Sequence, residues 1–524
     1  MKKIRIVTLV ATLVLGKFYL NNIYAQGEKP NIIFIMTDDH ASTAIGAYGG
    51  RLAGMNPTPN IDKLASEGML FTNAFCNNSI CVPSRASILT GQYPQTSGVL
   101  DLDHSLDVEK QYLPIEMKKL GYSTAIIGKW HLKNEPVNFD YYKVLPVQGK
   151  YFDPDFREKG KGTWPENVVN HPGYATDIIT DITIRYLKDL DKSKPFFLMH
   201  HHKAPHGPFS YPSRYDDYLE DVEIPEPESL YSQPSFGSEA TRGRNDSLIN
   251  HIGTSVSTRH IDRRSDKEPG DKGTHQAYQH YLKSYLRCSK GVDDNLGRLF
   301  DFLKAEGLWE NTIVIYTSDQ GMMLGEHDYI DKRWMYEESM RMPFIMRYPA
   351  SIQPESQTDL LINNTDFAPT IIELAGGKAP GYMQGRSFMR TLQGKKEKNW
   401  RTASYYRYWM HMIHHYVPAH FGVRTKDYKL IFYYSAHYLE PEDFKAHYWD
   451  KRFGEATKNP MPAAWEFYDM KKDPLEMVNE YNNPEYKKTI AQLKKELSRT
   501  REELNETDAN YPKFQKIIDQ YWDK

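Results

Sequence analysis

Four short groups of polar residues in this 524-residue chain have the types and spacing to do chemistry. They are Asp38-Asp39-His40, Lys129-Trp130-His131, the run His200-His201-His202-Lys203-Ala204-Pro205-His206, and Asp319-Gln320. Asp38, Asp39, Asp319 and Gln320 together offer three carboxylates and one amide oxygen. An all-oxygen set of high negative charge suits a hard divalent cation, Ca²⁺ ahead of Mg²⁺. Zinc would recruit histidine or cysteine instead. A fifth group, Cys81-Val82-Pro83-Ser84-Arg85, places a cysteine just before a proline that marks a helix start, where backbone N–H groups can face an anion. Its Cys-to-Arg spacing is too short for the phosphate-wrapping loop of Cys-based phosphatases, which excludes that class. An isolated Asp-Asp pair is commonly a turn or cap, and an isolated lysine commonly lies on the surface. Position in the fold therefore decides.

The elements that must position these groups alternate along the chain. Residues 31–37, 123–128, 195–200 and 312–317 are short apolar runs of the kind that form buried parallel strands. Helical patterns lie between them at 61–68, 113–121, 177–190 and about 276–306. The rhythm predicts an α/β fold with a large mixed, mostly parallel sheet flanked by helices. Each polar group follows one of the four strands. Ligands of open α/β sheets bind beyond the carboxyl ends of the strands, so the four groups are expected to converge on one site.

Hydrophobic content of 40% and charged content of 26% fit an ordinary globular chain long enough for a large core. A net charge of −2 argues against non-specific nucleic-acid binding, so an anionic ligand needs a local positive pocket. Residues 1–25 read as a signal peptide: Lys2, Lys3 and Arg5 precede an apolar stretch too short to span a membrane, and Tyr24-Ala25 offers a cleavage point. The chain is therefore expected to be exported, periplasmic or secreted, with no membrane span. Three cysteines are no disulfide framework; Cys76 and Cys288 either pair or remain buried thiols. Residues 231–272 break the α/β rhythm. They read as a solvated insertion, or as a lid bringing Arg259, Arg263 or Arg264 to a polyanionic substrate. A composition change near 395–401 divides a catalytic domain, 26–398, from an aromatic-rich α+β subdomain, 399–524.

From Lys29 to about Gly394 the chain resembles a type I sulfatase of the alkaline-phosphatase-like superfamily. The resemblance is carried, in family order, by PNIIFIMTDDH, PTPNIDKLASEGMLF, CVPSRASILTGQYP, GYSTAIIGKWHL, KAPHGPF, TIVIYTSDQGMMLGEH and DKRWMYEESMRMPFIMRYP. Gln320 departs mildly, since Asn or His is commoner there. The resemblance implies that Cys81 is oxidised to Cα-formylglycine by a formylglycine-generating or anaerobic sulfatase-maturing enzyme. The aldehyde is then hydrated to a diol, one oxygen of which joins Asp38, Asp39, Asp319 and Gln320 on the metal, with Asp319 accepting its proton. It further implies His206 as general acid with Lys332 as alternative or assistant, and His131 as the base that releases sulfate. Arg85, Lys129 and Lys332 supply fixed positive charge. His327 is expected to support the metal loop through hydrogen bonds. Alternation along the strand end is expected to scatter the rings of His200, His201 and His202 into structural roles, with His201 or His202 left as a substrate-facing alternative. In the C-terminal module, packing is set against one of His411, His414, His415 and His420 reaching the sugar.

Sequence context looks closest to bacterial N-acetylglucosamine-6-O-sulfatases, acting on glycosaminoglycan or mucin glycans. Another sulfated sugar, such as a 2-O-sulfated uronic acid, remains open. So do a phosphatase or phosphodiesterase, and a non-catalytic sulfated-glycan binder, on the same fold.

Overall fold

In the computed structural model, the described residues are 29–242, 248, 270–413, 415–440 and 461–524. The predicted signal peptide, most of the 231–272 insertion with Arg259, Arg263 and Arg264, and His414 lie outside them.

Among the described residues, Asn31–Asp38 is the centre of a ten-stranded sheet. The order is Ser356–Thr358, Met69–Phe71, Phe344–Arg347, Thr312–Ser318, Asn31–Asp38, Phe196–Pro205, Ser123–Lys129, Tyr141–Leu145, Asp155–Glu158 and Val168–Asn170. The five strands from Thr312–Ser318 to Tyr141–Leu145 are mutually parallel. Antiparallel partners extend both sides: Phe344–Arg347 next to Thr312–Ser318, and Asp155–Glu158 next to Tyr141–Leu145. The four strands expected from apolar runs are all present and adjacent.

Alternation along Asn31–Asp38 shows why the sheet is buried on both faces. Ile32, Phe34 and Met36 join a core cluster with Val82, Ala86 and Phe367. Ile33 and Ile35 point the other way, among Ile61, Ile179, Tyr285 and Leu296. Helices Cys81–Thr90, Tyr112–Lys119 and Phe367–Leu374 therefore cover one face, while Pro59–Ser66, Ala175–Asp189 and Asp271–Ala305 cover the other. Cys76 and Cys288 sit in these opposite clusters as free buried thiols, which rules out their pairing.

A second, four-stranded antiparallel sheet contains Ala403–Tyr408, His420–Thr425, Tyr428–Tyr433 and Ala464–Asp469. Its outer face packs Phe421, Phe432 and Phe467 against Leu493 and Leu497 of the helix Lys487–Glu503 and Phe514 of Pro512–Tyr521. Its inner side joins the main core cluster through Tyr406, Tyr408, Ile431, Tyr433 and Tyr468, and meets the short helix Glu337–Met340 through charge. Glu337 receives Arg424 Nε at 2.7 Å and Lys429 Nζ at 3.0 Å, and Lys429 also pairs with Glu476 at 2.6 Å. Buried ions of this kind hold together only as a set, because removing one leaves its partner uncompensated. No helix among the described residues is long and apolar enough to cross a membrane.

Candidate active site

Parallel register puts four strand ends at one edge: Thr37 lies opposite Ser318, Met36 opposite His201, and His201 opposite Gly128. Asp38, Lys129, His206 and Asp319 follow directly from these ends. The chain leaves the first strand by a left-handed residue, Asp39, at φ 66°. Strain of this type persists only when neighbours fix it. Here Tyr285 of the long helix donates its hydroxyl to Asp39 O at 2.7 Å and accepts from Ala41 N at 2.8 Å.

Two glycines make the close approaches possible. A Cβ on Gly128, itself at φ 103°, would stand 1.8 Å from His201 O, just before Lys129. One on Gly321 would stand 2.0 Å from Glu338 O, just after Gln320. The Gly321 loop is then fastened by Gly321 N to Ser339 O at 2.9 Å and Met322 N to Glu338 O at 2.8 Å. Through Glu337 it is also tied to Arg424 and Lys429 of the smaller sheet.

Cys81 is the first residue of the buried helix Cys81–Thr90 and is 1% exposed. The first-turn N–H groups of Cys81 and Val82 have no intrahelical acceptor, so this end favours negative charge. Cys81 Sγ lies 3.3 Å from Asp38 Oδ1 and 3.7 Å from Gln320 Nε2. Burial pushes its thiol up to about 12, so the cysteine as encoded is a poor nucleophile. The rest of the motif grips Asp319: Ser84 Oγ donates to its backbone carbonyl, and Arg85 Nε to its carboxylate at 2.9 Å. Arg85 also reaches Lys129 O at 2.9 Å.

Asp38, Asp39 and Asp319 bring carboxylate oxygens within 4.8 Å of one another, all fully buried. Lys129 pairs with Asp38 and donates to Gln148 Oε1 at 2.6 Å, while Lys332 pairs with Asp39 at 2.6 Å. Burial, opposed by Lys332, pushes Asp39 up to about 6. Gln320 Nε2 donates to Asp39 at 2.5 Å, and its buried Oε1 has no partner among the described residues. Three crowded carboxylates beside an orphaned amide oxygen fit a hard divalent cation.

His206 Nδ1 lies 2.5 Å from Gly207 O, which places the ring proton there and leaves Nε2 facing the site, 3.7 Å from Asp39. Burial, then the Lys332 and Lys129 charges, holds its pKa well below the usual histidine value. His131, at φ 58°, is likewise kept neutral by burial and by Lys129 and Arg85. Its Nδ1 has no hydrogen-bond partner among the described residues. All ten residues expected from sequence are therefore in one buried neighbourhood.

Two residues that sequence reasoning passed over, Asp331 and Arg333, also face it, as does His415 from the expected C-terminal histidines. Arg333 pairs through Nε with Asp331 at 3.2 Å, and its Nη1 is buried without a hydrogen bond among the described residues. His415 Nε2 reaches Asp331 at 3.6 Å, bringing the smaller sheet's loops to the site. The only available signal for Asp331 and Arg333 was adjacency to Lys332. One further expectation is corrected. His327 stacks on Phe236, with centroids 3.7 Å apart, and forms no hydrogen bond to the metal loop among the described residues. His201 bonds Lys129 O at 3.0 Å; His200 bonds Thr183 at 2.8 Å and His202 at 2.9 Å, so packing claims all three rings. His411 and His420 are buried against their own loop.

Three crowded carboxylates beside a helix N-terminus, at the carboxyl edge of a mostly parallel sheet, are an arrangement that could hold a divalent cation and an anionic ester together. Residues 30–377 match the Sulfatase family, and 325–459 with 452–503 match the C-terminal region of N-sulphoglucosamine sulphohydrolase. This chain belongs to the sulfatase family and is a sulfuric ester hydrolase. It is 37% identical to the N-acetylglucosamine-6-O-sulfatase of Bacteroides thetaiotaomicron, over 92% of this chain and 88% of that protein. The human N-acetylglucosamine-6-sulfatase is 28% identical, over 72% of this chain and 67% of its own length. The solved structure of BT4656 in complex with its substrate, D-glucosamine-2-N,6-O-disulfate, superimposes with a TM-score of 0.81 at 36% identity, covering 92% of this chain and 99% of that one.

Proposed function

We propose that this protein is an exported sulfatase that removes the 6-O-sulfate of N-acetylglucosamine or a related glucosamine unit of glycosaminoglycan or mucin glycans. It works through a formylglycine made from Cys81 by a sulfatase-maturing enzyme. The observation that carries the chemistry is Cys81 at a buried helix N-terminus, against Asp38 and Gln320. The sugar assignment is supported by the two N-acetylglucosamine-6-sulfatases and by the substrate of BT4656. Export rests on the basic and apolar pattern of residues 1–25.

Asp38, Asp39, Asp319 and Gln320 would hold the cation, Ca²⁺ by donor chemistry, whose charge acidifies the nucleophilic hydroxyl. The hydrated aldehyde of residue 81 loses a proton to Asp319 and attacks sulfur. As the new S–O bond forms, the S–O bond to the sugar breaks, and His206 Nε2 protonates the leaving oxygen. That proton sits on Nε2 only in the imidazolium, which the buried cations disfavour and an anionic substrate favours. Residue 81 then carries a sulfate ester. Neutral His131 takes the proton of the second hydroxyl, the C–O bond to sulfate breaks, and the aldehyde reforms for hydration by water. Arg85, Lys332 and Lys129, whose ammonium burial disfavours but Asp38 pairs, stabilise the crowded oxygens. Asp331, Arg333 and His415 form a polar wall suited to the hydroxyls of the sugar ring.

The test is sulfate release by matured enzyme from an aryl sulfate, an aryl phosphate and a panel of defined sulfated mono- and disaccharides, 2-O-sulfated uronic acids included. The 6-O-sulfated amino sugar should be the best substrate. Silence on it, with turnover of another sugar sulfate, would overturn the assignment. Arg333→Ala should raise KM for the sugar about tenfold, as expected for one lost charged hydrogen bond, while sparing the aryl sulfate.

A further inference from the structure

Each site carboxylate is held by cations. Asp38 has Lys129 and Arg85, Asp319 has Arg85, Asp39 has Lys332, and Asp331 has Arg333 and Lys332. Lys203 is left over. It is 3% exposed, yet has no hydrogen-bond or ion-pair partner among the described residues. Its strand runs beside the first one between the register points Met36–His201 and Asp38–Pro205, so it stands against the end that carries Asp38 and Asp39.

The surroundings of this ammonium are specific. The Tyr151 ring closes one side, with its centroid 4.9 Å from Nζ. Tyr151 donates its hydroxyl to His206 O at 2.6 Å, and His206 N donates to Lys203 O at 3.1 Å, so the three residues form one unit. An aromatic face attracts the charge but leaves an ammonium's other N–H donors unmet. A buried ammonium without acceptors is costly. Burial, opposed by Asp39 and Cys81, accordingly lowers its pKa to about 8. Such a group gains strong acceptors when an anionic ligand brings oxygen to it.

We infer that Lys203 is a further catalytic residue, donating to the sulfuryl oxygens of the reacting ester and to the sulfate released from it. The inference rests on the proposed reading of residue 81 as the point of attack. It also gives the KAPH segment two working side chains: one on the leaving oxygen, His206, and one on the sulfuryl group, Lys203.

The experiment compares matured wild type with Lys203→Met and Lys203→Gln, using an aryl sulfate for turnover and inorganic sulfate for binding by calorimetry. Both variants should melt no lower than wild type, because no ion pair is lost and a costly buried charge is removed. Their kcat/KM should fall about 10- to 100-fold, and sulfate should bind more weakly by a similar factor, as for a lost hydrogen bond from a charged donor. Wild-type kcat/KM and sulfate affinity in both variants would overturn the inference and leave the sulfatase reading standing. Slower turnover with unchanged sulfate affinity would overturn it too, leaving Lys203 a structural part. A matured wild type that releases no sulfate would defeat the reading itself, while the binding comparison, which needs no turnover, still decides Lys203.

Discussion

A Cys81→Ser protein will fold as wild type does and will not turn over. The serine hydroxyl is smaller than the thiol and can take the same contacts, Asp38 on one side and the Gln320 amide on the other. Stability should therefore change by no more than about 1 kcal/mol. Activity should fall at least about 10³-fold, because the release step has lost its means. A serine can still attack sulfur, but its ester carries no second hydroxyl from which His131 could take a proton. Mass spectrometry of the variant after exposure to substrate should find sulfate retained on the peptide containing residue 81. The wild-type peptide should be lighter than its cysteine form by the thiol-to-aldehyde difference. Wild-type turnover by the serine variant, or only cysteine in an active preparation, would sink the formylglycine assignment.

Removing divalent cations should cost both activity and stability, and Ca²⁺ should restore them better than Mg²⁺ at equal concentration. The reason is the buried crowding of Asp38, Asp39 and Asp319, of which Asp39 already resists ionisation. A cation that binds only the folded chain stabilises it by about 4 kcal/mol at a thousand times its Kd. Melting temperature should thus rise with Ca²⁺ over a chelator control. In Asp39→Asn that rise should shrink or vanish along with turnover, since one charge of the ligand set is gone. Equal melting temperatures with and without Ca²⁺, together with full activity in chelator, would rule out a resident cation.

Much of this site was legible because a parallel sheet turns sequence order into spatial order. Asp38, Lys129, His206 and Asp319 each follow an apolar run, and parallel pairing alone brings them to one edge. The antiparallel additions were not legible. Phe344–Arg347 and Met69–Phe71 pair across hundreds of residues, and nothing local in either segment says so. Asp331 and Arg333 escaped for a different reason. Both are left-handed, at φ 69° and 88°, so no helix or strand period predicts where their side chains point. His327 was misread because its neighbours Gly325 and Glu326 made it look like part of the metal loop, whereas Phe236, far off in sequence, takes its ring. Lys203 was visible as a residue but not as an unpaired charge, since a missing partner shows only in three dimensions.

Every residue from Cys81 to Thr90 is buried. On the proposed reading, a maturing enzyme has to place its own reactive groups around residue 81, which the finished fold buries. That reading predicts the order of events: conversion comes first, on a chain not yet folded, and folding seals the result. Any delay between synthesis and conversion traps a fraction of molecules that are well folded and permanently unconverted. Alkylating reagents applied to such trapped, native protein should leave Cys81 unlabelled and label it after denaturation. Yield of working enzyme is then a race between two rates, not a property of the folded molecule.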